Sequence, residues 1–323
     1  MQKLLLALDY GGTKHTAAVL RFGEHTWGAH ARVYSPPGAD ATYDRATMLR
    51  MAYGLLVQVP GKLAAIGVSF GGPVDGRRGW VRLSYHVPGW EGTPLRDQLQ
   101  AEFGVPVAMD NDANVAALGE WRWGAGQDCE SLLYVTISTG IGGGWVLGGR
   151  IWGGADGMAG EIGHMIVRPG GALCDCGRRG CLEAEACGRA IAAKTRERLR
   201  DEGRKTKDEG DRLLTLADGR AEAVTAQMVA QAAEAGDALA RAVLDEAART
   251  LGAGLGAAIS LMNPERIVLG GGVTKAGARW WRTVREAARA TAFAQSRTEI
   301  VPAFLGDDAP LWGAVALAEA TIG

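Results

Sequence analysis

The sequence predicts an α/β protein of two domains built on a similar plan. Three observations carry this reading. Apolar runs of strand length, among them Lys3 to Leu8, Leu63 to Val68 and Arg266 to Leu269, alternate with segments of helical spacing. Two strand–turn–strand segments with glycine-rich turns, one at Asp9 and one at Ser138, stand well apart in the chain. The length, 323 residues, suits about two domains.

The composition is that of a globular protein with a sizeable core, 47% hydrophobic and 22% charged. A net charge of −1 offers no electrostatic footprint for nucleic acid or an anionic membrane, so neither is expected as a partner. Five cysteines, three of them clustered, do not make an even secreted framework, and a reducing cytoplasm fits better. Leu4 to Leu8 is too short for an export signal. The uncharged stretch Ser131 to Gly149 could span a membrane by length, but its six glycines and its hydroxyl residues mark a hairpin instead.

Taken in order, Lys3 to Leu8 reads as a central strand. It runs into Asp9-Tyr10-Gly11-Gly12-Thr13-Lys14 and a second strand, Ala17 to Leu20, which makes a hairpin with a Gly-Gly turn. Glycine lets backbone N–H groups approach a phosphate, and an aspartate beside them can hold Mg2+ through water. Arg45 to Val57 has helical spacing, and Leu63 to Val68 is a strand ending in Ser69-Phe70-Gly71-Gly72-Pro73-Val74-Asp75, a plain turn or one side of a substrate cleft. Val87 to Trp90 is a turn, after which Thr93 caps a helix with Pro94 at its first position. Val105 to Met109 is a strand that ends at Asp110-Asn111-Asp112-Ala113-Asn114, where a helix begins. Asp110, Asn111 and Asp112 all suit an N-cap, yet they exceed what one cap needs. An aspartate at the carboxyl end of such a strand faces the ligand crevice of an open α/β sheet and can accept a proton from a hydroxyl.

Ser131 to Ile137 forms the strand before Ser138-Thr139-Gly140-Ile141-Gly142-Gly143-Gly144, and Trp145 to Leu147 returns. This second hairpin is built like the first, and the pair can grip a nucleotide's phosphates from opposite sides. The loop from Glu161 to Glu183 gathers His164, Cys174, Cys176 and Cys181, all zinc-type ligands, with a carboxylate at each end. Gly177 and Gly180 permit the tight Cys-x-Cys-x4-Cys turn. Four protein ligands close a tetrahedral site, so its zinc is structural and sets geometry. By chemistry alone Cys187 could replace His164 as the fourth ligand. A metal-stapled loop of this kind positions polar groups around a small polar substrate, so loss of the metal would raise KM for that substrate more than for a nucleotide.

Ala184 to Leu199 is helical and leads into a charged run to Arg212, read as a solvated helical face or a mobile loop. Thr225 to Ala235 is a short amphipathic helix, and a long Ala/Leu-rich one follows from Ala238 to Met262. Gly252, Gly254 and Gly256 within it point to close packing against a neighbour. Asn263-Pro264 ends it, Arg266 to Leu269 is a strand, and Gly270-Gly271-Gly272 opens a loop that can carry a base and ribose. Trp280 and Trp281 read as helix core, Ile300 to Leu305 as a strand, and Asp307 to Ala320 as a last helix with Pro310 in its first turn.

Together these motifs resemble the bacterial ROK sugar kinases of the actin-like, hexokinase-type ATPase superfamily, and most closely their glucokinases. The resemblance covers nearly the whole chain in order: Asp9-x-Gly-Gly-Thr-Lys14, the Gly-Pro-Val-Asp segment at Asp75, Asn111-Asp112-Ala113-Asn114, Thr139 to Gly144, the metal signature, and Asn263-Pro264 with Gly270 to Gly272. It implies an actin-like (ribonuclease H-like) fold with an active-site cleft between two domains. Residues 1–112 with 307–323 would form a small α/β domain, and 113–306 a large one carrying the second phosphate motif, the zinc loop and the adenosine side. It implies transfer of the γ-phosphoryl group of ATP, with Mg2+, to the 6-hydroxyl of glucose, with Asp112 as general base. Gly72, Asn111, Asp112, Glu161, His164 and Glu183 match the sugar ligands. Asp9, Gly11, Gly12, Thr13, Lys14, Thr139, Gly140, Gly270, Gly271 and Gly272 match the nucleotide side. His164, rather than Cys187, joins Cys174, Cys176 and Cys181 as a zinc ligand. A homodimer or homotetramer is the expected assembly. His86 departs from the asparagine frequent in the family, a position bearing on sugar choice. Kinases for fructose, mannose, N-acetylmannosamine or N-acetylglucosamine are the nearest alternatives, and polyphosphate the alternative donor. The family also contains sugar-responsive repressors, for which the first strand, beginning by Lys3, leaves no DNA-binding segment.

Overall fold

The computed structural model describes residues 2–84, 87–200 and 210–322. The expectation about His86, and the part of the charged run from 201 to 209, lie outside the described residues.

Strands β1 (Lys3–Tyr10) and β2 (Lys14–Arg21) form the first hairpin, and β3 (Ala29–Tyr34) follows. Helix α1 (Ala41–Leu56) leads to β4 (Lys62–Phe70), the short pair β5 (Val74–Asp75) and β6 (Trp80–Val81), α2 (Leu95–Phe103), β7 (Val107–Asn111) and α3 (Asp112–Trp123). The second hairpin is β8 (Ser131–Ile137) and β9 (Ile141–Leu147), with β10 (Arg150–Ile151) after it. Then come α4 (Leu182–Ala186), α5 (Gly188–Arg200), α6 (Asp211–Leu216), α7 (Ala226–Glu234) and α8 (Ala238–Met262). Strand β11 (Arg266–Gly270), α9 (Ala278–Thr291), β12 (Glu299–Pro302) and α10 (Ala309–Glu319) complete the chain.

The two five-stranded sheets share one plan. Their orders are β3-β2-β1-β4-β7 and β10-β9-β8-β11-β12, so in each a meander of three strands lies on one side and two crossover strands on the other. In the first sheet β1, β4 and β7 are parallel. Strand β1 is buried on both faces, and its alternation sorts the helices. Leu4, Leu6 and Leu8 join a core with residues of α1 and α2, while Leu5 and Ala7 join one with residues of α3 and α10. Among the described residues no helix is long and apolar enough to cross a membrane.

By contacts the chain divides into two compact units, one of residues 1–134, 144–160 and 303–323, the other of 135–143 and 161–302. These bounds differ from those expected from sequence. Helix α3 goes with the first unit because Val115 packs into the same core as Leu311 and Ala314 of α10. In the second unit α8 lies on α9, and its glycines are points of close approach. A Cβ on Gly252 would stand 2.4 Å from the Val284 carbonyl, and one on Gly256 2.6 Å from that of Ala288. Gly254 faces Leu182 of α4 instead.

Several boundaries depart from the sequence reading. Thr93 does not cap α2: Pro94 is the cap residue and no side chain caps the helix. Helix α1 starts earlier, at Ala41, with Asp40 accepting from the Tyr43 N–H. Strand β3 was not anticipated; its residues are mostly half-exposed, so they carry no apolar run. Residues Ile141 to Gly144 lie in β9 rather than in the turn, which is confined to Ser138–Gly140. The helix expected from Ala184 breaks at Cys187, whose extended backbone separates α4 from α5. Strand β12 stops at Pro302.

Glu120 of α3 is fully buried and its carboxylate accepts three backbone N–H groups, those of Ala125, Phe304 and Leu305. It thereby ties the chain leading into α10 to α3. Glu120→Ala strands those donors and is expected to destabilise the first unit by about 3–5 kcal/mol, read as a lower midpoint in denaturant unfolding. Glu120→Gln, which keeps one acceptor oxygen, should cost clearly less. Equal losses would show that packing, not hydrogen bonding, fixes this corner.

Candidate active site

In the first unit the site is assembled by strand register. Asp9 of β1 lies opposite Ser69 of β4, and Ser69 opposite Asp110 of β7. Three polar residues therefore stand level at the carboxyl ends of three parallel strands, just before the Gly11-Gly12 turn, the Gly71-Gly72 turn and the head of α3. Ser69 Oγ donates to Asp9 Oδ1 at 2.7 Å, inside the protein. The first turn closes through Gly11 N–H to the Lys14 carbonyl, and Gly71 N–H bonds the Tyr10 carbonyl, which binds the two glycine turns together. Asn111 is the N-cap of α3: its Oδ1 accepts from the Ala113 N–H, and its Nδ2 donates to the Gly72 carbonyl at 3.1 Å. Asp110 turns to the Asn111 N–H and to Asn114, so it is used in holding the motif.

Asp112, first residue of α3, is the electrostatically unusual member. Burial, and next the like charge of Asp9, push its carboxyl up to about 7, against weaker stabilisation from the Ala113 N–H. A carboxylate with a pKa near neutrality is matched to general-base work. Burial also raises the pKa of Asp9, opposed by its bond from Ser69 and by Lys14. A buried carboxyl at the end of a strand, just before a glycine turn, fits a metal-bound role, as expected for a magnesium ion on phosphates.

In the second unit the loop from Glu161 is folded by short bridges, Ile166 to Cys181 and Leu173 to Arg179. Gly177 and Gly180 have φ of 84° and 81°, as the tight cysteine turn requires. The ligand atoms of His164, Cys174, Cys176 and Cys181 all lie within 4.8 Å of one another. Cys176 Sγ is 3.6 Å from Cys181 Sγ, and Cys174 Sγ is 3.7 Å from His164 Nδ1. A tetrahedron with zinc–sulfur bonds of about 2.3 Å has edges of about 3.8 Å, so the spacing and the donor set both fit that ion. Cys187 stands apart; its Sγ accepts from the Ala190 N–H. His164 offers Nδ1 to the cluster, and its Nε2 lies 3.8 Å from Glu161. The Arg178 backbone N–H draws Cys176 down to about 6, whereas burial pushes Cys174 up. The loop is also braced by charge: buried Glu185 accepts from the Ala172 N–H and from Lys194 and lies 3.4 Å from Arg168.

Glu183 also reaches the second glycine turn. Its Oε2 accepts the Ile141 N–H at 2.9 Å, and a Cβ on Gly140 would stand 2.3 Å from that oxygen. The end of the metal loop thus backs onto the second glycine turn. Beside that turn opens a cavity of about 930 Å³, lined by Ser138 and Thr139, by Gly188 to Ala193 in part, by α7 and by Gly272 to Ala276 in part. It brings together Thr139 and Gly272; Gly140, Gly270 and Gly271 are outside its lining. Gly271 instead packs against β8, where a Cβ would meet the Ile137 carbonyl at 2.4 Å. Sequence reasoning missed the role of Ser69, which only the register reveals. It also missed Glu185, which braces the metal loop and which no local motif marks.

The model of the ROK family matches residues 5–321. The chain is 40% identical over 253 residues, 77% of its length, to a glucokinase of Halalkalibacterium halodurans, of which the match covers 74%. Among solved structures, a ROK hexokinase from Thermus thermophilus superposes with a TM-score of 0.82 at 34% identity, covering 99% of each chain. A ROK family glucokinase from Streptomyces griseus, in complex with glucose and AMPPNP, superposes with the same score of 0.82 at 33% identity, covering 98% of this chain and 99% of that one.

Proposed function

Since the chain belongs to the ROK family and is a sugar kinase with the actin-like ATPase fold, we propose that it is a glucokinase that phosphorylates the 6-hydroxyl of glucose from ATP. The observation that carries the mechanism is Asp112, a carboxyl at the head of α3 whose pKa of about 7 suits proton transfer at neutral pH. Asp112 takes the proton of the 6-hydroxyl as that oxygen is phosphorylated. Asn111, Gly72, Glu161 and His164 hold the other hydroxyls. Glu183 acts from behind the second turn, through the Ile141 N–H, as well as on the sugar side. The turns Asp9–Lys14 and Ser138–Gly140 hold the phosphates, with Asp9 the residue for magnesium, whose charge offsets that of the phosphates. The cavity beside Thr139 and Gly272 takes the nucleoside. His164, Cys174, Cys176 and Cys181 hold one structural zinc, which shapes the loop and leaves the chemistry to the side chains.

The test is an ADP-release assay over glucose, fructose, mannose, N-acetylmannosamine and N-acetylglucosamine, with ATP and with polyphosphate. Glucose with ATP is expected to give the highest kcat/KM. A higher value for another hexose or for polyphosphate would replace the substrate while leaving the kinase reading intact.

A further inference from the structure

Resting on the placement of the nucleotide in the cavity beside Thr139, we propose that Arg189 is a ligand of the donor's phosphates, held in position by the metal loop. Arg189 sits in the first turn of α5 and lines the cavity together with Ser138 and Thr139. Its Nε donates to the Thr139 carbonyl at 3.2 Å. Its Nη2 lies 2.6 Å from Asp175, the residue between two of the cysteine ligands, and 3.8 Å from Glu183. The guanidinium is thus fixed from two sides, by the glycine turn and by the metal loop. Among the described residues the structure shows no partner for Nη1, so one edge of the five-donor fork remains to be used.

Restraining a long side chain that is still 48% exposed opposes its rotamer entropy, and an exposed ion pair returns little for it. Preorganised arginine is, however, what bidentate phosphate recognition needs. The other cations of the cavity are placed for other work. Arg196 spends its Nε and Nη2 on the Val224 carbonyl, and Lys275 belongs to the short helical turn Gly272–Lys275 rather than to the Ser138–Gly140 turn. Arg189 is the cation that touches the turn where the phosphates are expected. Phosphoryl transfer gains from fixed positive charge at the phosphate oxygens. The metal loop therefore has a second task here, aiming a cation at the donor.

Calorimetric titration of the zinc-loaded full chain with ADP and, separately, with adenosine separates this from a purely structural role. Arg189→Gln keeps a donor for the Thr139 carbonyl but removes the charge. It is expected to weaken ADP about tenfold and adenosine less than about twofold, with zinc content unchanged. Arg189→Lys keeps the charge without the fork and should weaken ADP roughly threefold, again sparing adenosine. If either variant loses adenosine as strongly as ADP, Arg189 only braces the cavity and the proposal is wrong. Unchanged ADP affinity in Arg189→Gln overturns it as well. Wild-type protein that binds neither compound would overturn the cavity's assignment to the nucleotide, and the role of Arg189 with it. Should Arg189→Gln lose its zinc, the Lys variant's ADP-to-adenosine ratio decides.

Discussion

Asp112→Asn is expected to lower kcat by about 10²–10⁴-fold while sugar binding largely survives, because a positioned base contributes on that scale and the amide keeps the side chain's shape. The pH dependence follows from the same carboxyl. The base must be ionised, and its pKa is about 7, so kcat/KM for the sugar should rise with pH and level off above that value. Asp9 contributes to the raised pKa by like charge, so Asp9→Asn should move the limb to lower pH, whatever it does to the maximum. Stability runs the opposite way. A carboxyl whose folded pKa lies above its unfolded value favours the fold below the unfolded pKa, and that contribution is lost as pH rises through about 7. The Asn variant should therefore melt higher than wild type at pH above 8, with the gap closing towards pH 5. A variant within about threefold of wild type in kcat would remove Asp112 from the base role.

Loss of the metal is the second large effect. Gentle purification should yield one zinc per chain, and Cys176→Ser should lose it together with melting temperature and at least 10–100-fold in activity. The sequence alone suggests that such a loss would raise KM for the sugar selectively. The hydrogen bond from the Ile141 N–H to Glu183, and the contact of Arg189 with Asp175, alter that expectation. The loop braces the second glycine turn, the proposed phosphate site, so steady-state titrations should show KM rising for sugar and ATP together. Glu183→Gln, which leaves the metal ligands alone, should raise both more mildly. Zinc-free protein with full activity and unchanged melting would exclude a structural metal. A rise confined to the sugar would show that the Glu183 bond does not set the turn.

Much of this molecule is legible in its sequence. Buried strands such as Lys3 to Leu8 announce themselves because both faces are covered and no polar residue interrupts them. The long helix α8 is legible from about end to end, since Asp237 caps its start and Asn263, in the left-handed region at φ 45°, ends it. Glycines at helical positions foretold close packing, and α9 and Leu182 supply it. The metal cluster was legible because its ligands are crowded into one loop, where spacing and donor type carry the message without tertiary help. Strand β3, half-exposed and weakly patterned, was not; nor was the break at Cys187, where a tertiary bond from Gly188 N–H to the Ser138 carbonyl competes with continuing the helix.

The family, the repeated hairpins, the three-cysteine loop and Asp112 as the candidate base can all be read from local stretches of residues. Each of these is local: a few neighbouring residues whose chemistry needs no distant partner to be recognised. What those residues touch depends on the folded chain. It placed Asp9, Ser69 and Asp110 level through strand register, made Asp9 the neighbour whose charge helps lift Asp112 to about 7, and set Glu183 and Arg189 against the second turn. Register, desolvation and like-charge repulsion depend on segments far apart in the chain, and they act only once folding has removed the water between them.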